Sequence, residues 1–258
     1  MTQMIVGLGR GDRLVGVTRF CDAPGVAVVM DAKPQIERIL AARPDLVVAG
    51  QYASVTPATE ALSAMGLDVL SLPLDSLDDA RRALRALGAH LDARPAAEAL
   101  VQTLDAALAR ARARAASRPG GKEPAVLLVF DAGDGYVYTT GGGDHLAELL
   151  SAVGARNVAA GGPLTTRLPL EQLETSRPDL IIHAAPDPQF PDDAAALAWW
   201  RAVMPDLPAV HAGRVHVWPD ASLATHGPGL ARAVDRLSAL VEAAAAQPRA
   251  AATPTAPR

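Results

Sequence analysis

Apolar positions along this chain switch repeatedly between two spacings. Over Leu14–Thr18, Val26–Val29, Asp45–Ala49 and Val69–Leu72 they gather in short runs rich in β-branched residues, the pattern of buried strands. Over Gln35–Ala42, Pro57–Ala64 and Ser76–Leu87 they recur at helical spacing. Ser76 reads as an N-cap with Asp78 and Asp79 in the first turn, and Gly66 and Gly88 read as helix stops. Thr2–Leu8 reads as a helix with no strand ahead of it. Pro95–Ala116 holds no glycine and no second proline, and Leu100, Val101, Leu104 and Leu108 share a stripe, so one helix of about 33 Å is predicted there. Arg118-Pro119-Gly120-Gly121 ends it.

The same grammar resumes afterwards. Ala125–Phe130 is a continuous apolar strand, Asp144 caps a helix over His145–Val153 that Gly154 stops, and Asn157-Val158 starts a short strand. Then come a helix at Leu170–Thr175, a strand at Leu180–His183, a helix at Ala194–Val203, a strand at Val215–Trp218 and a long helix at Pro228–Ala244. Trp199 and Trp200 read as core. Such alternation predicts an α/β protein with mostly parallel, doubly wound sheets.

One phrase occurs twice. Glu37-Arg38-Ile39-Leu40-Ala41-Ala42-Arg43-Pro44-Asp45-Leu46-Val47-Val48 returns 134 residues later as Glu171-Gln172-Leu173-Glu174-Thr175-Ser176-Arg177-Pro178-Asp179-Leu180-Ile181-Ile182. Each copy is a short helix, an Arg-Pro-Asp turn and a buried strand. Solenoid repeats recur at roughly 20 to 50 residues, so this distance means two lobes. The expected organisation is an N-terminal lobe over 1–92 whose first strand is missing, a connecting helix over 93–117, a C-terminal lobe over 118–244 and a disordered tail over 245–258.

Composition narrows the function. Half of the 258 residues are hydrophobic, and the net charge of −4 comes with no basic stripe, which argues against a nucleic-acid partner. Cys21, the single cysteine, has no companion at metal-binding spacing, and His211 and His216 have no carboxylate at ligand spacing, so no metal site is expected. Gly7-Leu8-Gly9-Arg10-Gly11 lacks the last glycine of a dinucleotide fingerprint, and Thr140-Gly141-Gly142-Gly143-Asp144 sets a carboxylate where a phosphate would sit. No nucleophile elbow and no His-Glu-x-x-His pair occur, so no catalytic residue is assigned. The N-terminus shows neither a signal peptide nor a membrane span, and taken alone this favours a cytoplasmic α/β enzyme.

Gly9-Arg10-Gly11-Asp12-Arg13-Leu14-Val15-Gly16-Val17-Thr18, Cys21-Asp22-Ala23-Pro24, Pro34–Val48 and Ser76-Leu77-Asp78-Asp79 resemble the N-terminal lobe of a known family. It is the helical-backbone substrate-binding proteins of ABC importers for cobalamin, ferric siderophores and haem. Gly154-Ala155-Arg156-Asn157-Val158, Leu170-Glu171, Trp200 with Leu207-Pro208-Ala209-Val210, and Gly213-Arg214-Val215 are similar to its C-terminal lobe. The resemblance implies two doubly wound lobes joined by one long rigid helix, a ligand cleft between the lobes, a monomer, and a periplasmic location. It also implies a strand and an export signal ahead of Met1, so that Met1 is an internal methionine.

The resemblance further implies roles. One exposed glutamate per lobe, here Glu37 and Glu171, docks on the ABC permease dimer. Tyr138 matches a position where a cobalamin binder carries an aromatic residue, whereas three other such positions read Asp31, Gly50 and Thr165. His226 stands where many relatives carry arginine. Ligand loops are expected at the carboxyl ends of the strands, over Arg19–Pro24, Gly50–Thr56, Asp131–Gly143, Ala184–Asp193 and Pro219–Gly229, which brings in Cys21, Asp22, Tyr52 and Tyr136, with His145 at the edge. Asp22, Asp131 and Asp134 disfavour a strongly anionic chelate, so a corrinoid such as cobalamin is expected ahead of a ferric siderophore or haem. No cofactor beyond that metal chelate is expected.

Overall fold

Helices and strands alternate along much of the described chain. The computed structural model describes residues 1–21, 23–31, 33–51, 55–133 and 135–246. The first half runs α1 (Thr2–Gly7), β1 (Gly16–Thr18), β2 (Ala27–Met30), α2 (Ile36–Ala41), β3 (Val47–Gly50), α3 (Thr56–Ala64), β4 (Val69–Leu72), α4 (Leu77–His90) and α5 (Arg94–Ala116). The second half runs β5 (Ala125–Val129), β6 (Asp131–Gly133), β7 (Tyr136–Thr140), α6 (His145–Ala152), β8 (Arg156–Asn157), β9 (Thr165–Pro169), α7 (Leu170–Ser176), β10 (Leu180–His183), α8 (Asp193–Val203), α9 (Pro208–His211), β11 (Val215–Val217) and α10 (Leu230–Ala246). Two compact units result among the described residues, Met1–Asp105 with His226–Leu230, and Ala106–Thr225 with residues 231–246. Their boundary falls inside α5, which is continuous over 23 residues.

The core of the first unit is helical. Met4 and Leu8 from α1 and the turn after it, Ala80, Leu84 and Leu87 from α4, and Ala97 and Val101 from α5 pack together with Leu72. Ser76 caps α4 as expected: its Oγ accepts from the Asp79 amide at 3.0 Å while the Asp79 carboxylate accepts from the Ser76 amide at 3.0 Å. Gly88 does not stop this helix, which runs on to His90. Its role is space: a Cβ at Gly88 would stand 2.6 Å from the Cβ of Ala97, so the missing side chain lets α5 fold back against α4. The strands form two separate parallel pairs, β1 with β2 and β3 with β4. Every residue of β3 is half-buried, and α2 buries none of its residues.

In the second unit the parallel sheet has the order β11-β10-β5-β8. β5 and β10 are wholly apolar up to His183 and wholly buried, as a sheet covered on both faces requires. The Asp179 carboxylate, at the end of the second Arg-Pro-Asp turn, accepts from the Ala125 amide at 2.9 Å and so ties the start of β10 to the start of β5. Phe190 and Trp200 fill the core, and Trp200 donates its indole N–H to His183 Nε2 at 3.0 Å.

Two features here depart from the sequence reading. The stretch Asp131–Gly143, read as a loop, contributes two strands to an antiparallel sheet of order β6-β7-β9. Gly135, at φ 81°, sits just before β7, in the backbone region that favours glycine. Arg118, read as part of a helix terminator, is an anchor with only 4% of its side chain exposed. Its guanidinium donates to the carbonyls of Lys122 at 2.6 Å, Gly154 at 2.6 Å and Val153 at 2.9 Å, and to the Glu242 carboxylate at 2.7 Å.

Candidate functional site

The two copies of the repeated phrase fold alike. Glu37 is the second residue of α2 and Glu171 the second residue of α7, both are exposed, and both lie in the first turn, where the partial positive charge of a helix start favours a carboxylate. Each helix is followed by an arginine in the left-handed region, Arg43 at φ 48° and Arg177 at φ 43°. Non-glycine residues rarely adopt that conformation, so its occurrence at both copies marks one local design used twice. A parallel strand follows in each case, β3 and β10. The copies differ in what surrounds them. Asp179 is buried and bonded, whereas Asp45 is exposed. Likewise β10 lies between β5 and β11, while among the described residues β3 has β4 as its one hydrogen-bonded neighbour.

Tyr136 and Tyr138 come together on the antiparallel sheet of the second unit. Strand periodicity sends Val137 into the core, fully buried, and both tyrosines to the opposite face, where they are half-buried. Their rings meet edge to face with centroids 5.3 Å apart. The guanidinium carbon of Arg167, on β9, lies 4.0 Å from the Tyr136 ring centroid, a cation–π contact. Sequence reasoning passed over Arg167, because its strand follows Gly-Gly-Pro and its neighbour in register, Tyr138, lies 29 residues earlier. Gly133 leaves room for this arrangement, since a Cβ there would stand 2.9 Å from the Tyr136 ring.

The remaining candidates are scattered. Cys21, half-buried in the bend after β1, accepts from the Thr2 hydroxyl at 3.1 Å and lies 3.2 Å from the Thr18 hydroxyl. Burial opposes ionisation of this thiol, but the hydrogen bonds from Thr18 and Thr2 outweigh it and its pKa is lowered. His226 is half-buried in the turn that precedes α10, within the first unit. Asp22 and Tyr52 lie outside the described residues, as does Asp134. His145, expected at the edge of a ligand loop, is instead buried, 3.2 Å from the Leu223 carbonyl oxygen through Nε2, and burial lowers its pKa. His216 pairs with Asp193 at 2.8 Å. Among the described residues no three His, Cys, Asp or Glu side chains are placed to hold a metal ion.

Comparison with known proteins places this geometry in a lineage. Residues 1–221 match the periplasmic binding protein family. The chain is 26% identical over 189 residues to the uncharacterized ABC transporter substrate-binding lipoprotein YvrC of Bacillus subtilis, covering 70% of this chain and 60% of that protein. It is 26% identical over 194 residues to the vitamin B12-binding protein of Pectobacterium carotovorum, covering 72% of this chain and 69% of that one. Among solved structures, the periplasmic heme-binding protein BhuT in complex with two hemes superposes with a TM-score of 0.80 at 28% identity, covering 95% of this chain and 96% of that one.

Proposed function

The chain belongs to the periplasmic binding protein family, and on that premise we propose that it is the substrate-binding component of an ABC importer that captures a metal chelate. The observation that carries the reading is the family match over residues 1–221, supported by the transport roles in the names of the relatives. The cytoplasmic enzyme reading draws no support from those relatives. A relative named as a lipoprotein and a fold shared with a periplasmic protein favour work outside the cytoplasmic membrane.

The ligand, in this proposal, is a flat metal macrocycle, a corrinoid ahead of haem. Vitamin B12-binding relatives favour it, and so does Tyr138, a half-buried aromatic ring on the outward face of its sheet. Capture takes place without turnover. Glu37 and Glu171 then register the loaded protein on its permease: each is an exposed carboxylate at the same point of a duplicated helix, the form in which an arginine pocket could read both halves at once.

Two measurements test this. Titration calorimetry with cobalamin, haem and a ferric siderophore should give tight binding of one macrocycle. The double variant Glu37→Lys/Glu171→Lys should then lose stimulation of the permease ATPase while keeping ligand affinity within about twofold, because neither carboxylate belongs to the ligand site. Loss of ligand binding in that variant would refute the docking role.

A further inference from the structure

We propose that the outer face of the β6-β7-β9 sheet selects a ligand whose rim carries carboxamides, with Asp131 and Arg167 as the specificity residues on either side of Tyr138. This rests on the reading of the protein as a binder of a flat macrocycle. The register places the groups. Asp131 on β6 pairs with Tyr138 on β7, and Tyr138 pairs with Arg167 on β9, so the three stand in one row across the sheet. The next row on the same face is Gly133, Tyr136 and Pro169. The opposite face, with Ala132, Val137 and Leu168, is buried in the core, so the Asp131 row is turned outward.

Strands stand about 4.8 Å apart, which separates the backbones at Asp131 and Arg167 by on the order of 10 Å, with Tyr138 between them. Among the described residues neither makes an ion pair. Arg167 is nonetheless held, because the Tyr136 ring lies under its guanidinium.

The chemistry follows from that row. An anion-selecting face would offer the arginine without the aspartate, and a cation-selecting face the reverse. Together they carry no net charge, and they present donors at one end and an acceptor at the other. A rim bearing several primary carboxamides satisfies both, since the carbonyl of one accepts from guanidinium and the NH2 of another donates to carboxylate. A ring rimmed by carboxylates would gain Arg167 but meet Asp131 across a partly dehydrated surface, where like charges repel. The side chains on this face thus discriminate by the rim of the ligand, while the Tyr138 ring contacts its plane.

The test is calorimetry of the whole protein and two variants, Arg167→Gln and Asp131→Asn, with cobalamin and with a corrin in which the rim carboxamides have been hydrolysed to carboxylates. The wild type should bind cobalamin more tightly than the hydrolysed corrin by about tenfold or more. Arg167→Gln should weaken both ligands by about tenfold. Asp131→Asn should weaken cobalamin but strengthen the hydrolysed corrin, reversing or erasing the preference. Both residues are exposed, so thermal melts of the variants should match the wild type. Tight cobalamin binding that neither variant alters by more than twofold would overturn this inference and leave the transport reading standing. Failure to bind any macrocycle would remove that reading and this inference with it.

Discussion

Arg118→Met is the substitution whose cost the structure fixes most fully. The arginine is 4% exposed and its guanidinium serves three backbone carbonyls and the Glu242 carboxylate. Methionine fills most of the same volume, so the change measures polar interactions more than a cavity. Two of the stranded carbonyls, those of Val153 and Gly154, belong to the end of α6 and its following turn, where the helix supplies no partner of its own. Removing one partner of a buried ion pair costs about 3 to 5 kcal/mol. Glu242 is 34% exposed and can turn to water, which sets the expectation at the lower end of that range. For a unit of this size about 3 kcal/mol corresponds to a fall in Tm on the order of 10 °C. Circular dichroism melts and urea titrations should show it, and Glu242→Gln, which keeps an acceptor for the guanidinium, should lose only about 1 kcal/mol. Equal losses for the two variants, or a loss below about 1 kcal/mol for Arg118→Met, would refute the argument that the carbonyls dominate.

Gly88→Ala should destabilise the first unit by about 1 to 3 kcal/mol through overpacking, despite the roughly 1 kcal/mol that alanine gains in helix propensity, and Ala97→Gly in the same chain should restore much of the loss; urea unfolding decides it. His183 is pushed down from 6.5 to about 4 by burial, against the opposing pull of Asp187 and Asp193. Its folded pKa lies below its unfolded one, so the unfolded chain takes up a proton first, and stability is full above about pH 6.5 and falls by about 3 kcal/mol as pH approaches 4. In His183→Gln, whose amide oxygen can still accept from Trp200, the slope of the urea midpoint between pH 7 and 4 should flatten; an unchanged slope would assign the acid sensitivity to other groups.

Most of the element order, the Ser76 and Asp144 caps and the duplicated phrase were legible in the sequence because each depends on neighbours within a few positions. Ser76 needs Asp79, and Asp144 needs the amide of Ala147, 2.8 Å away. What stayed hidden depends on distant partners. Gly88 looks like a stop until α5 lies against it. Arg118 looks like a helix end until Glu242, 124 positions later, comes within reach. The β6–β7 hairpin was obscured by glycines that break a helical or strand pattern locally while permitting the turn and the close approach of Tyr136. Arg167 gains meaning only from register, since pairing with Tyr138 is what sets it beside the aromatic rings.

The difference between the two copies of the phrase also bears on how the protein behaves at high concentration. β3 carries Val47 and Val48 half-buried, with a hydrogen-bonded neighbour on one side among the described residues. An open strand edge offers a ladder of amides and carbonyls to any extended segment that reaches it, and apolar side chains beside that ladder make the encounter stick. Crowding, freeze–thaw and long storage should therefore act on the first copy of the phrase rather than on the second, where β10 is closed in by strands on both flanks. The two copies of one design thus differ in what they offer a neighbouring chain, and a single lysine placed on the outer edge of β3 should blunt that difference.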